Sequence, residues 1–345
     1  MKRTGAGADA DRASPALQAL AASDLDTLVK RFTSSGMQAS LPGPAMLHLQ
    51  SMHPGALQVL LSVGVHGNET APISMLASVL DALAAAPRSL GVDLLVVVGN
   101  PAATGRGTRF IDADLNRLFT QERVSLNDVA EATRADQIMQ ASADFFAGLG
   151  PERWHLDLHS AIRPSRHARF AVIPACADDA SQEPLMAWLG SAAIEAAIFN
   201  SVPASTFSAY TARRFGVLAA TVELGQVGGP GQVPTLQLRD TQAALLRLLQ
   251  GVLPSSGGRM PTRYRVAQEI IKHSDAFVMP LDASTHNFTA MAPGSVIATD
   301  GAAVLRVGAS TEYVVFPNPG VLPGQRAGLM VVRIGESDHG RAGEQ

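Results

Sequence analysis

Between residues 57 and 252, short apolar runs of strand length alternate with segments of helix length, and this alternation constrains the fold more than any other property of the chain. Residues 57–65 (LQVLLSVGV), 93–98 (DLLVVV), 155–159, 170–173 and 217–224 read as strands. The first two are apolar almost throughout, the pattern of a strand buried on both faces. Helices are expected over 71–86, 129–146, 187–199 and 235–252, the first with Thr70 as N-cap and Pro72 in its opening turn. Such alternation predicts an α/β fold with a largely parallel sheet covered by helices on both faces. The pattern breaks at 253–258 (LPSSGG). Beyond it, short strand-like runs at 264–271, 276–279, 295–299, 303–307, 313–316 and 328–334 are interrupted by Gly, Pro and Asp. The expected division is an N-terminal extension over 1–40, partly disordered, a main α/β domain over 41–253 and a smaller β-rich domain over 258–336. Residues 337–345 are polar and expected to fray. No internal repeat is present.

A chain of 345 residues with 46% hydrophobic and 17% charged residues can bury a large core. Its formal charge of −3 gives no footing for nucleic acid or an anionic membrane as partner. No stretch reaches the roughly 18–20 apolar residues of a membrane span. The N-terminal residues lack the apolar core of a secretion signal. With a single cysteine, Cys176, no intrachain disulfide can form. A cytoplasmic protein is therefore expected. Cys176 sits in an apolar stretch and reads as a small core residue rather than a ligand or nucleophile.

Chemistry-bearing residues fall where the predicted strands end. Gly64-Val65-His66-Gly67-Asn68-Glu69 follows the first strand directly, and Asp157-Leu158-His159-Ser160 closes the third. Loops at the carboxyl ends of strands are where open α/β sheets bind ligands. Gly64 and Gly67 leave room for a tight turn that lets both side chains face one ion. Two imidazoles and a carboxylate are the ligand set of a catalytic zinc with one position open. His66, Glu69 and His159 are thus the candidate ligands of one Zn2+ per subunit. Asp157 shares a strand face with His159; it either orients an imidazole or is a buried carboxylate satisfied by backbone donors. Glu223, in Thr221-Val222-Glu223-Leu224-Gly225, ends the last strand of the sheet as either a general base or a salt-bridged carboxylate. Between them, Arg109-Phe110-Ile111-Asp112-Ala113-Asp114-Leu115-Asn116-Arg117 reads as a loop. It offers two guanidiniums and an amide to a substrate carboxylate, with Asp112 and Asp114 placed to brace the arginines; a solvated loop with surface ion pairs is the other reading. Gly105-Arg106-Gly107 lacks the spacing of a phosphate loop.

Taken in order, these segments resemble the zinc carboxypeptidase superfamily in its aspartoacylase/succinylglutamate desuccinylase branch. The supporting stretches are Val65 to Pro72, Asn100-Pro101, Arg109 to Phe119, Trp154 to Arg163, Thr221 to Gly225, and the Phe316-Pro317-Asn318 and Arg326-Ala327-Gly328 segments. Asp157-Leu158-His159 followed by Ala161-Ile162-Arg163 favours the desuccinylase side. The resemblance implies a mixed sheet and a catalytic role for the 41–253 domain. It also implies zinc on His66, Glu69 and His159, Glu223 as general base, and Arg109 polarising the scissile carbonyl. Asn116 and Arg117 would hold a carboxylate, and Arg163 a further one. Tyr210, Arg213 and Arg214 are looser candidates for the same task. Ser160 stands where Thr is expected, a swap of one small hydroxyl for another. The implied substrate is a small molecule with several carboxylates, N-succinyl-L-glutamate, split into succinate and L-glutamate in arginine catabolism. Competing readings are deacylation of another N-acyl amino acid, carboxypeptidase-like cleavage, and a non-catalytic metal or amino-acid binder. A serine hydrolase is disfavoured because no Gly-x-Ser-x-Gly elbow occurs.

Overall fold

A computed structural model describes residues 13–53, 55–123, 126, 128–147, 152–161, 163–175, 182–225, 237–254, 257–281 and 284–335. The readings made for Cys176, for residues 1–12 of the extension and for the polar end at 337–345 lie outside the described residues. Helices α1 (Pro15–Ala22) and α2 (Asp26–Ser34) come first, then strands β1 (Gln38–Ser40), β2 (Met46–Gln50) and β3 (Gln58–Val63). Next are α3 (Thr70–Ala85), β4 (Asp93–Val98), α4 (Pro101–Arg106), α5 (Ala130–Phe145), β5 (Arg153–His159) and β6 (Phe170–Pro174). These are followed by α6 (Glu183–Ser191), β7 (Ala196–Asn200), α7 (Phe207–Phe215), β8 (Leu218–Glu223) and α8 (Arg239–Leu249). The β-rich part holds β9 (Thr262–Ile271), β10 (Phe277–Val278), β11 (Thr289–Met291), β12 (Val296–Asp300), β13 (Ala303–Arg306), β14 (Glu312–Val315) and β15 (Arg326–Arg333).

One mixed sheet runs in the order β1-β2-β4-β3-β5-β8-β6-β7-β9-β15-β14-β11, and a second small sheet is β10-β12-β13. Its centre, β4-β3-β5-β8, is parallel. The parallel arrangement stops on either side, because β2 pairs antiparallel with β4 and β6 antiparallel with β8. So the fold is α/β with helices and a C-terminal β-rich region, but less uniformly parallel than the apolar runs predict. The central strands explain their own burial. Five of six residues of β3, of β4 and all six of β8 are buried. Val59, Leu61, Leu94, Val96, Leu156, Ala220 and Val222 face α3 and α8 in one cluster. Leu60, Leu95, Val97 and Ala219 face α5 and α7 in another. A strand clamped between two apolar layers has no polar face to show.

One predicted element comes out differently. The helix expected over 187–199 is α6 followed by β7. Ala193, between them, has φ 57°, and a Cβ at Gly190 would lie 1.8 Å from the Arg259 carbonyl oxygen. The backbone turns there because another segment passes close by, and an Ala/Ile-rich run cannot by itself distinguish helix from buried strand. In the segment read as an extension, residues 15–34 form α1 and α2, whose Leu20, Leu28 and Phe32 are fully buried in the main core. α1 starts on a Ser14 cap whose hydroxyl accepts from Leu17 N. Among the described residues no helix is long and apolar enough to cross a membrane.

Candidate zinc hydrolase site

The exits of β3 and β5 lie side by side because the strands pair in parallel from Gln58↔Arg153 to Ser62↔Asp157. Gly64 turns the chain at φ +62°, which L side chains adopt with difficulty. Gly67 packs so closely on α4 that a Cβ would lie 2.1 Å from the Ala103 carbonyl carbon. This brings His66 and Glu69 beside His159. Glu69 occupies the N-cap position of α3 yet caps nothing with its side chain, and Thr70, expected there, is the first helical residue. The Glu69 carboxylate is turned instead to the site. Its Oε1 lies 2.8 Å from His66 Nδ1, and its Oε2 lies 3.0 Å from His159 Nδ1. Ser160 N donates to Oε2 at 2.9 Å. The Ser160 hydroxyl is buried without a hydrogen-bond partner among the described residues, so its contact with Glu69 is made by the backbone.

Each imidazole is anchored on its far side. His159 Nε2 meets Asp157 Oδ2 at 2.9 Å, and His66 Nε2 meets Asp114 Oδ1 at 3.0 Å. Donation of Nε2–H to a carboxylate leaves Nδ1 as the basic nitrogen on both rings, and both Nδ1 atoms face Glu69. One ligand atom each from His66, Glu69 and His159 falls within 4.8 Å of the others. Two imidazole nitrogens and a carboxylate oxygen, converging and backed by carboxylates, match what zinc takes. The alternative for Asp157, satisfaction by backbone alone, is set aside by its contact with His159. Asp114 Oδ1 also accepts from Asn116 N at 3.0 Å, while its Oδ2 pairs with Arg109 Nη2 at 3.6 Å, as expected of a carboxylate that braces this arginine.

The charges fit this geometry. Burial by itself would raise the Glu69 and Asp114 carboxyls, but His159 and His66 hold Glu69 well below the carboxylate range, and His66 with Arg117 and Arg109 does so for Asp114. Burial would likewise lower His159, yet Asp157 and Glu69 keep it well above its ordinary value. Glu223 is the exception. It stands directly across from His159 in the β5–β8 register, 8% exposed. Burial pushes its carboxyl up to about 7; His159 pulls it down and Glu69 pushes it further up. No ion pair to a described residue involves it, against the reading of a salt-bridged strand end.

Arg109 enters the site with Nη1 3.3 Å from Glu69 Oε1. Asn116 is buried, and its Oδ1 accepts from Phe207 N at the start of α7 (2.9 Å), which commits its Nδ2 as the free donor. Arg117 donates from Nη1 to the Asn116 carbonyl at 2.9 Å. Its pKa is lowered by burial of its surroundings, partly offset by Asp114, and lowered further by the neighbouring charges of Arg326 and Arg109. Arg326 heads β15, where its Nη1 lies 3.3 Å from Glu269 Oε1. Arg163 is half-buried in the turn leaving β5. The structure does not bring Arg213 and Arg214 to the site. They end α7, next to where β8 begins, while Glu223 is at the other end of that strand, roughly 16 Å away at about 3.3 Å per residue. Tyr210 packs on Phe215 in the same helix.

Two residues of α5 have no counterpart in the motif reading. Glu131 accepts from Asn100 Nδ2 (3.2 Å), Ile111 N (2.8 Å) and Asp112 N (3.3 Å). Arg134 donates to the carbonyls of Gly99, Val98 and Pro44. Together they pin the exit of β4 and the arginine-bearing loop to one helix. Asp112 contributes its backbone here, and its carboxylate braces neither arginine.

Residues 56–251 match the model of the succinylglutamate desuccinylase/aspartoacylase catalytic domain, and residues 259–334 that of the AstE/AspA barrel-sandwich hybrid domain. The chain belongs to the succinylglutamate desuccinylase/aspartoacylase family. Within the family, it is 41% identical over 276 residues to a succinylglutamate desuccinylase of Burkholderia lata, covering 79% of this chain and 78% of that one. It is 39% identical over 289 residues to that of Erwinia tasmaniensis, covering 83% and 88%. The solved succinylglutamate desuccinylase of Vibrio parahaemolyticus superposes with a TM-score of 0.80 at 33% identity over 87% of this chain and 89% of that one. That of Chromobacterium violaceum gives 0.77 at 33% over 93% and 98%. Murine aminoacylase 3, at 18% identity and a TM-score of 0.53, shares the fold.

Proposed function

We propose that this family member is a zinc-dependent amidohydrolase that splits N-succinyl-L-glutamate into succinate and L-glutamate. The observation that carries the proposal is the buried His66–Glu69–His159 group with Glu223, held near neutrality, opposite it across two paired strands. The names of the relatives supply the acyl group. A zinc ion on the three ligands would supply a Lewis acid for the amide carbonyl and lower the pKa of an attacking water. Glu223 takes the proton of that water, as a buried carboxylate directly across from His159 is placed to do. The same proton then passes to the leaving amine nitrogen. Arg109 donates to the oxygen that becomes negative during attack. Asn116 Nδ2 and Arg117 hold a substrate carboxylate, so that the amide meets the base in one orientation. Three carboxylates on the substrate match the further positive charge of Arg163 and Arg326. The β-rich region over 258–336 borders the site through Arg326.

Succinate release from succinylglutamate, measured with and without a chelator and beside acetylaspartate and a C-terminal dipeptide, tests the proposal. Chelator-sensitive release from succinylglutamate alone is expected. Preference for acetylaspartate would move the chain to the aspartoacylase side of the family, and release unaffected by chelation would remove the metal.

A further inference from the structure

Behind His159 lies a closed row of hydrogen bonds that the proposed chemistry does not use. His155, Asp157 and His159 alternate along β5 and share one face. Ser62 is paired with Asp157 on the neighbouring strand β3, and Thr211 of α7 covers the same face. Ser62, His155, Asp157 and Thr211 are all fully buried. His159 Nε2 contacts Asp157 Oδ2 at 2.9 Å. Ser62 Oγ contacts Asp157 Oδ1 at 2.5 Å and His155 Nε2 at 2.9 Å. His155 Nδ1 contacts Thr211 Oγ1 at 2.7 Å.

Counting protons fixes the direction of every bond. Ser62 Oγ donates to Asp157 Oδ1, and His159 Nε2 meets Asp157 Oδ2, so both carboxylate oxygens accept. The one hydroxyl proton of Ser62 is therefore spent on Asp157. Ser62 Oγ must then accept from His155, which places the His155 proton on Nε2. Nδ1 of that ring is left to accept from the Thr211 hydroxyl, at a distance shorter than the 3.0 and 3.3 Å that separate Thr211 from the Ser208 and Phe207 carbonyls. Burial lowers the His155 pKa to about 4, so the ring is neutral and a single tautomer satisfies all four residues. All donors in the row point toward Asp157.

We propose that His155, acting through Ser62, is a positioning residue that fixes Asp157 and thereby presents His159 Nδ1 to the metal. The inference rests on the zinc reading of the site. Without Ser62, Asp157 Oδ1 and His155 Nε2 would both be buried and unpaired. Asp157 would rotate toward other donors, and His159 would lose the contact that selects its Nε2–H tautomer.

The test uses the full chain, with zinc affinity read by competition against a chromogenic chelator. Ser62→Ala and His155→Leu are expected to bind zinc roughly 10–100-fold more weakly than wild type, the usual cost of losing a partner of a metal ligand. His155→Gln, whose amide can still donate to Ser62, is expected to recover most of that affinity. A residue that only fills space would change the melting temperature of the metal-free protein and leave zinc affinity alone. A folded Ser62→Ala variant with affinity within about twofold of wild type overturns the proposal. If the variants do not fold, imidazole 15N shifts of the wild-type protein decide: Nε2–H at His155 is expected, and Nδ1–H overturns the row. A wild-type chain that binds no zinc overturns the functional reading and the positioning role together, whereas zinc binding that is indifferent to Ser62 overturns the positioning role alone.

Discussion

The Glu223 carboxyl is buried at a strand end with its charge opposed by Glu69, and its folded pKa of about 7 lies above the ordinary 4.5. In the metal-free protein the folded state thus holds a proton that the unfolded chain releases. Stability contributed in this way is complete below pH 4.5 and is lost as pH rises to 7, by about 3 kcal/mol if the whole shift is expressed. His159, raised above 6.5, adds a loss of the same sign at higher pH. Denaturant unfolding of metal-free wild type against Glu223→Gln isolates the Glu223 part: the decline between pH 4.5 and 7 should flatten in the variant. The zinc-loaded Glu223→Gln protein is expected to keep its metal by elemental analysis while turnover falls by at least ~100-fold. Retained turnover would remove Glu223 as the base. The placing of His66, Glu69, His159 and Glu223 at one sheet edge is legible from sequence, because the first two come just after β3 and the others end β5 and β8, and strand ends are fixed points of an α/β sheet. Glu131 and Ser62 are not, since their partners lie 19–31 and 93–95 positions away. No local spacing announces such contacts. Asp114 is legible only in part: its pairing with Arg109 follows from their nearness in sequence, and its contact with His66, 48 positions away, does not.

At the level of elements, α5 acts as the mount for the arginine-bearing loop. Its Glu131 gathers three N–H donors, which hold its carboxyl below the usual range although burial opposes this. Glu131→Ala should release the loop that aims Arg109. The expected result is a fall in kcat of roughly 10–100-fold, the scale of a small misplacement of a catalytic group, with zinc content unchanged. Glu131→Gln, which keeps one acceptor, should recover part of the loss, and a kcat equal to wild type in the alanine variant would refute the mounting role. Where one apolar layer lies on each side, element boundaries are readable to the residue in β4 and to within two residues in β3 and β8. They were not readable at 187–199, where the passage of Arg259 beside Gly190 decides the break.

For the whole molecule, the boundary at 253–258 separates two patterns of sequence, yet one sheet and one apolar cluster cross it. β9 pairs in parallel with β7 from Ala196↔Thr262 to Phe199↔Arg265, so one sheet continues across it. Phe170, Ala196 and Ile198 from one side pack with Tyr264, Phe288, Leu329 and Val331 from the other. Asn287 ties the two again, donating to the Pro164 carbonyl and accepting at Oδ1 from Phe316 N. We propose that the regions on either side of the boundary unfold in one transition. A single calorimetric peak is expected, and a chain ending at residue 254 should be insoluble because the β7 edge and its apolar cluster are laid bare. Two resolved peaks would contradict this.

The partners His159 and Glu69 stand 90 positions apart in the chain, with α3, β4, α4 and α5 between them. An ion gripped by both is a clasp on the polypeptide as well as a reagent, since affinity that exists only in the folded state counts as folding free energy. Its removal should therefore loosen the molecule in a definite order. Amide exchange is expected to quicken first where the chain leaves β3 and β5, while β12 and β13, in a separate small sheet, keep their protection. The melting temperature should fall on chelation and return on adding zinc.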